Sequence, residues 1–341
     1  MPSVSAPSIL IVGGGLTGAA IGRALRRQLP AESVVVWEAL SAVGGRMHTE
    51  RISMRSGAAG LADTGAQYVT VTDDQAVATA HRPLYTALLD AGVLRPMAGR
   101  IEGGRAADGS GTNYVAPAGV ASIVDYLFSG AGLSPHCSRR AIGLRRTPPA
   151  SSGASSATRG GRWEVSTSDG FRQSFDGVVL TQPAPEILAL LDSGEAETWL
   201  DRGTQLGDRN ADGGGGGDGA ATVAALSRSQ LEAVEYSARF ALTLFFPAAA
   251  AATFTEHLDW AAKYVTKAED DALVYLAVDS TKRRGEREGA GGAADDAPEA
   301  ISLVAHTSVP FGLRTFAAGT AEAQVCCEVI QGGRPVPLIL S

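Results

Sequence analysis

The chain predicts an α/β fold that opens on a dinucleotide-binding βαβ unit, and three observations carry the prediction. A short apolar run, Ile9–Val12, leads into Gly13-Gly14-Gly15-Leu16-Thr17-Gly18. A stretch without helix breakers follows as far as Leu29. A second apolar run, Val34-Val35-Val36-Trp37, then closes on Glu38. Strand, glycine turn, helix, strand and acidic residue fall in register, the Rossmann-type pattern that an isolated glycine turn lacks.

Each element has its reason. Ile9–Val12 is apolar throughout and rich in β-branched residues, as a parallel strand buried on both faces requires. Gly13 permits the tight turn, Gly15 lets the backbone approach a pyrophosphate, and Gly18 lets the helix pack close to the strand. The helix is predicted over Leu16–Leu29, with Thr17 in its first turn and Pro30 as its stop, and its free N–H groups face the phosphates. Glu38 follows Gly18 by twenty residues. There a carboxylate accepts hydrogen bonds from the adenosine ribose hydroxyls and repels a 2′-phosphate.

Just beyond the second strand stands Gly44-Gly45-Arg46. Paired glycines let backbone N–H groups approach an anion, and Arg46 offers a planar fork to pyrophosphate oxygens. This second glycine pair resembles flavoproteins of the amine-oxidase superfamily rather than nicotinamide dehydrogenases, and so implies FAD.

The 341 residues suffice for two modest domains with a large core. A formal net charge of −7 argues against a nucleic-acid or anionic-membrane partner. Arg26-Arg27, Arg139-Arg140, Arg145-Arg146 and Lys282-Arg283-Arg284 are short and scattered, and read as solvated faces. No apolar run approaches the ~18 residues of a membrane helix. Cys137 stands alone and Cys326-Cys327 are adjacent, so neither a disulfide framework nor zinc spacing is present. The start lacks a basic region ahead of its apolar run, so no secretory signal is expected, and the cytoplasm is the expected compartment.

Pro148–Gly161, Asp192–Thr222 (with five successive glycines, Gly213–Gly217) and Gly285–Glu299 lack the apolar content to offset ordering entropy. They are expected to be disordered loops. Strand-like sequence, such as Ala141–Arg145 and Trp163–Thr167, flanks or follows them.

Asp63-Thr64-Gly65-Ala66-Gln67-Tyr68-Val69-Thr70, Gly92-Val93-Leu94-Arg95-Pro96, Ile101-Glu102-Gly103 and Tyr114-Val115-Ala116-Pro117 closely resemble the renalase family. So do Phe175-Asp176-Gly177-Val178-Val179-Leu180-Thr181, Pro183-Ala184-Pro185-Glu186-Ile187-Leu188, Gln230-Leu231-Glu232-Ala233-Val234, Tyr236-Ser237-Ala238-Arg239 and His306-Thr307-Ser308-Val309-Pro310-Phe311-Gly312. The resemblance runs from Ile9 to Gly312 apart from the inserts.

It implies a glutathione-reductase-like FAD domain built from residues 8–80 and 111–191, with a helix over Val120–Leu127 and a strand over Val178–Thr181. It also implies an interleaved α+β substrate domain on an antiparallel sheet, from residues 82–110 and 227–316, with 192–222 as a glycine-rich insert and 317–341 as an atypical tail. Thr17, Arg46, Gln67 and Tyr68 match flavin-contacting positions. The implied chemistry is hydride transfer to FAD from the 2- and 6-dihydro isomers of NAD(P)H, with O2 as oxidant and hydrogen peroxide and NAD(P)+ as products. No general base is needed, because the ring nitrogen's lone pair expels the hydride. Tyr264 and His306 are the candidates for the substrate face. No Gly-Asp pair of the family's closing segment follows Gly312, so a truncated, flavin-free and inactive product is one alternative. A flavin amine oxidase is the other; it would call for an aromatic cage and a flavin-facing lysine, for which Lys263 and Lys267 are the nearest choices.

Overall fold

A computed structural model describes residues 6–71, 74–103, 112–147, 162–193, 228–250, 254, 258–283 and 300–319. In chain order its elements begin with β1 (Ile9–Val12), α1 (Leu16–Leu25), β2 (Val34–Trp37), β3 (Thr49–Ser53), β4 (Ala59–Asp63), β5 (Val69–Val71) and α2 (Gln75–Asp90). Next come β6 (Arg95–Pro96), β7 (Ile101–Glu102), β8 (Thr112–Val115), α3 (Ala121–Gly130), β9 (Ala141–Thr147) and β10 (Arg162–Thr167). They are followed by β11 (Arg172–Phe175), β12 (Gly177–Leu180), α4 (Ala184–Asp192) and α5 (Arg228–Glu232). The last are β13 (Ala241–Phe246), β14 (Ala262–Tyr264), β15 (Leu273–Val278), α6 (Asp279–Lys282), β16 (Ile301–Thr307) and α7 (Val309–Ala317).

The chain forms two compact units, one of Met1–Gly45 with Leu127–Glu235 and one of Arg46–Tyr126 with Tyr236–Ser341. In the first, β1 lies between β12 and β2 in a parallel sheet. A strand paired on both sides and covered on both faces has no polar edge to solvate, which is why Leu10 and Ile11 are fully buried. Trp37 at the end of β2 packs edge-on against Phe175, ring centroids 5.7 Å apart, within a core that includes Leu10, Val165 and Leu190. The antiparallel strands β11, β10 and β9 form a second sheet in this unit.

The first helix is shorter than predicted. It ends at Leu25, and Arg27 and Gln28 donate instead to the carbonyls of Ala24 and Leu25, one residue short of helical spacing. Pro30 disfavours helical geometry at Leu29, and the tightened turn accommodates this. Helix α3 is displaced a little from the predicted Val120–Leu127, and β9 runs two residues beyond Arg145.

In the second unit β13, β16, β15, β14 and β7 form one sheet. It is antiparallel throughout except where β14 and β7 run parallel, so the expected antiparallel sheet is mixed at that edge. Two smaller sheets, β3-β4 and β5-β8-β6, belong to the same unit. These units follow packing and cut the chain differently from the family-based segments: residues 46–80 and 111–126 group with the five-stranded sheet, and α5 with α4. Arg228 of α5 pairs with Asp192 at 2.6 Å, so Asp192 ends a helix rather than starting an insert. The remainder of the Asp192–Thr222 expectation beyond Ser193, the other two inserts, Cys326-Cys327 and the tail from residue 320 lie outside the described residues. Among the described residues no helix is long and apolar enough to cross a membrane.

Candidate functional site

In the first unit two glycine segments run side by side. Gly15 and Gly44 form a parallel bridge, and the N–H of Gly44 donates to the carbonyl of Gly14 at 3.0 Å. Gly44 and Gly45 hold φ of 132° and 56°, a left-handed backbone that a side chain would strain. Glu38 is buried beneath this turn, its Oε2 accepting from Gly14 N–H at 2.7 Å and its Oε1 from Leu40 N–H at 2.8 Å. Each oxygen keeps a further acceptor site, so the carboxylate ties the loop and still has capacity for a hydroxyl donor.

The three fingerprint glycines are glycine for different reasons. A Cβ at Gly13 would strike Thr181 Oγ1, and one at Gly18 would strike the carbonyl oxygen of Gly13. Those two are required by the protein's own packing. At Gly15 the nearest atom to such a Cβ is Gly44 O, 3.7 Å away. Nothing in the fold excludes a side chain there, so the open approach beside the N-terminus of α1 fits a pyrophosphate. Thr17 is exposed in the helix's first turn.

In the second unit, Arg46 is exposed, and its backbone carbonyl accepts from Ala66 N–H at 3.0 Å. Gly65 allows that approach, because a Cβ there would collide with Arg46 O. The Asp63–Tyr68 motif thus sets the position of Arg46. Downstream, Tyr264, Tyr275 and His306 are cross-strand neighbours on β14, β15 and β16. Tyr264 meets Tyr275 edge-on at 5.3 Å between centroids, Tyr275 lies 5.4 Å from His306, and the hydroxyls of Tyr264 and Tyr68 are 2.7 Å apart. Gln67 Nε2 lies 3.5 Å from His306 Nε2. The fold therefore brings together Gln67, Tyr68, Tyr264 and His306, four residues spread across most of the sequence. Burial, aided by the charges of Lys282 and Arg239, pushes His306 down to about 4 and keeps it neutral near pH 7. Burial also raises Tyr68, with Tyr264 adding to the effect.

Beneath this row lies a charged cluster that the sequence reading misplaced on a solvated face. Asp63, Asp279, Lys282 and Arg283 are all buried. Arg283 donates to Asp63 Oδ2 at 3.1 Å, to Leu61 O at 2.7 Å and to Asp279. Lys282 pairs with Asp279 and donates to Gln67 O at 2.7 Å and to Gln67 Oε1 at 3.1 Å. Burial pushes the Lys282 ammonium down, with Asp279 and Asp63 opposing. The one available signal was an acidic residue three and four positions ahead of Lys282 and Arg283, the spacing at which a helix pairs charges. By contrast Lys263 forms ion pairs with Glu102 and Glu269 at 2.9 and 2.8 Å. Arg284 is outside the described residues.

Residues 11–83 match the NAD(P)-binding Rossmann-like domain family. Among solved structures, a protein of Exiguobacterium sp. 255-15 named as a protoporphyrinogen oxidase superposes with a TM-score of 0.57, at 12% identity over 96% of this chain and 82% of that one. A putrescine oxidase redesigned in its cofactor binding gives 0.53, at 12% identity over 94% and 78%. At that identity these two show the fold alone: a Rossmann-type α/β unit with an α+β unit. Renalase of Mus musculus is 30% identical over 338 residues, which cover 97% of this chain and 81% of the relative. With that extent of identity on this fold, the chain belongs to the renalase family of flavin oxidoreductases.

Proposed function

We propose that the chain is a FAD-dependent oxidase of misreduced nicotinamides, taking hydride from the 2- or 6-dihydro isomers of NAD(P)H and releasing NAD(P)+ while O2 becomes hydrogen peroxide. The observation that carries the reading is the row Tyr264–Tyr275–His306 beside Gln67 and Tyr68: flat, neutral groups suited to orienting a planar ring. Hydride loss turns a neutral dihydropyridine into a pyridinium cation. A neutral His306 adds no charge to repel it. Bound FAD supplies the hydride acceptor and the centre that O2 reoxidises. The protein's own part is positioning, which lowers a barrier by removing orientational freedom before reaction.

Within the first unit, Gly15, Gly44 and Gly45 supply backbone approach to the phosphates, Gly18 lets the helix pack close to the strand, and Glu38 accepts from the adenosine ribose. By the family resemblance, Thr17 of the first unit and, in the second, Arg46, Gln67 and Tyr68 are the flavin-contacting residues in this reading.

The amine-oxidase reading is favoured by one observation, the buried Lys282. Its ammonium donates to Gln67 O and Gln67 Oε1 and forms an ion pair with Asp279. Lys282 thus faces inward. A visible spectrum of the purified protein, followed by peroxide assays with each dihydro isomer and with an amine, separates the readings. Yellow protein oxidising the isomers is the expected result. Colourless protein, or turnover of the amine alone, overturns it.

A further inference from the structure

The oxidase reading leaves a buried lysine without a role, and its contacts define one. An ammonium only donates, so the Gln67 atom at 3.1 Å from Lys282 Nζ must be the amide oxygen. The other end of the same amide reaches the carbonyls of Asp63 and Gly65, which accept only. Both constraints demand the same orientation of Gln67, with Oε1 on the lysine and the NH2 group turned away. That NH2 edge faces His306 Nε2. The amide nitrogen has no lone pair free to accept, so a hydrogen on Nε2 would find no partner there, and the contact suits a nitrogen that presents its lone pair.

We propose that Lys282 is a positioning residue of this site: through Gln67 it fixes His306 as a neutral ring with Nε2 unprotonated. This rests on the oxidase reading only in placing His306 on the substrate face. Asp279 and Asp63 pair with Lys282 and Arg283 within the cluster, so the orientation is held by buried ion pairs, and the charge of Lys282 itself further disfavours protonation of the ring. The other groups facing His306 are Arg239, which also disfavours its protonation, the Thr64 backbone, which favours it, and the Tyr275 ring, tilted against it. A neutral ring with a lone pair on its Gln67-facing nitrogen can accept from a ligand's amide or hydroxyl if the Gln67 contact opens. It cannot add a positive charge beside a forming pyridinium.

Nitrogen-detected NMR of the histidine rings in the full chain tests this without substrate. Five histidines are present, and the His306 resonance is identified by its loss in His306→Gln. Between about pH 5 and 8 His306 should stay neutral, with Nε2 at the shift of an unprotonated nitrogen. An Nε2–H tautomer, or a full titration inside that window, overturns the proposal in the unsubstituted protein alone. Two variants address Lys282 itself. Gln67→Glu replaces the NH2 with an acceptor, and the double variant Lys282→Met/Asp279→Asn removes a buried charge pair together. In each, the His306 midpoint should rise from about 4 toward 6.5, and the pH profile of peroxide formation should gain a limb that the parent lacks. A midpoint unmoved in either variant, with its dispersed spectrum retained, refutes the role of Lys282. Absence of peroxide from the parent would sink the oxidase reading and leave the NMR result to decide this one.

Discussion

Gly15 and Gly18 stand three residues apart and differ in what their missing side chains serve. Gly18→Ala would drive a Cβ into the carbonyl of Gly13 and force strand and helix apart. A loss of about 1–3 kcal/mol is expected, as for overpacking in a dense core. Gly15→Ala meets nothing closer than 3.7 Å and should leave the unliganded protein's stability within about 0.5–1 kcal/mol of the parent. Its effect should fall on cofactor affinity instead, because the added methyl occupies the approach to the phosphates. Chemical denaturation without flavin, beside flavin titration, reads both. Equal destabilisation by the two substitutions would show that Gly15 is a packing glycine. Position in the motif assigns the two glycines these different roles, and the surroundings of each Cβ show what a side chain would meet.

At the scale of elements, Asp63 at the end of β4 joins parts that the chain separates widely. Its Oδ1 accepts from Val120 N–H and Thr49 Oγ1, both at 2.8 Å, and Thr49 Oγ1 in turn accepts from Ala121 N–H at 3.0 Å, so the pair caps the start of α3. Its Oδ2 accepts from Arg283. Removing it would leave a buried guanidinium without one carboxylate, and the Val120 N–H and the Thr49 hydroxyl without their acceptor. Asp63→Ala is therefore expected to cost about 3–5 kcal/mol, the range for breaking a buried pair on one side. Asp63→Asn keeps an oxygen toward α3 and should cost less. Urea unfolding of the two variants checks the order; a loss under about 1 kcal/mol for the alanine would show that water replaces the carboxylate. The β1–α1–β2 order was readable because its signal is local: apolar runs, glycines and an acidic residue within forty positions. Lys282 and Arg283 read as surface residues because Lys and Arg lie mostly on surfaces, and their burial here is matched by Asp63, more than two hundred residues away.

For the molecule as a whole, His306 sets a pH dependence. Its folded value of about 4 lies below the ordinary 6.5. Between those values the unfolded chain binds a proton that the folded chain refuses, so folding stability falls as the solution is acidified from about 6.5 to about 4. The loss from this group approaches about 3 kcal/mol at the acid end and is absent above pH 7. Unfolding measured across that window, with His306→Gln as reference, isolates the contribution, since the variant should lack this part of the slope. Parallel curves for the two proteins would mean that His306 protonates in the folded state without penalty.

Sequence alone was enough for the dinucleotide-binding unit, the acidic residue at the end of β2 and the family, because these reside in short contiguous patterns governed by strand burial and glycine geometry. It also supplied Gln67, Tyr68, Tyr264 and His306 as candidates through family resemblance, without a reason for them to meet. Tertiary structure decided that meeting, since cross-strand register places Tyr264, Tyr275 and His306 in one row. It likewise decided the end of α1, the parallel edge of the five-stranded sheet and the burial of Lys282. Each depends on which residues distant in the chain come within a few ångströms, and hydrogen-bond partners and local dielectric are set only at that range.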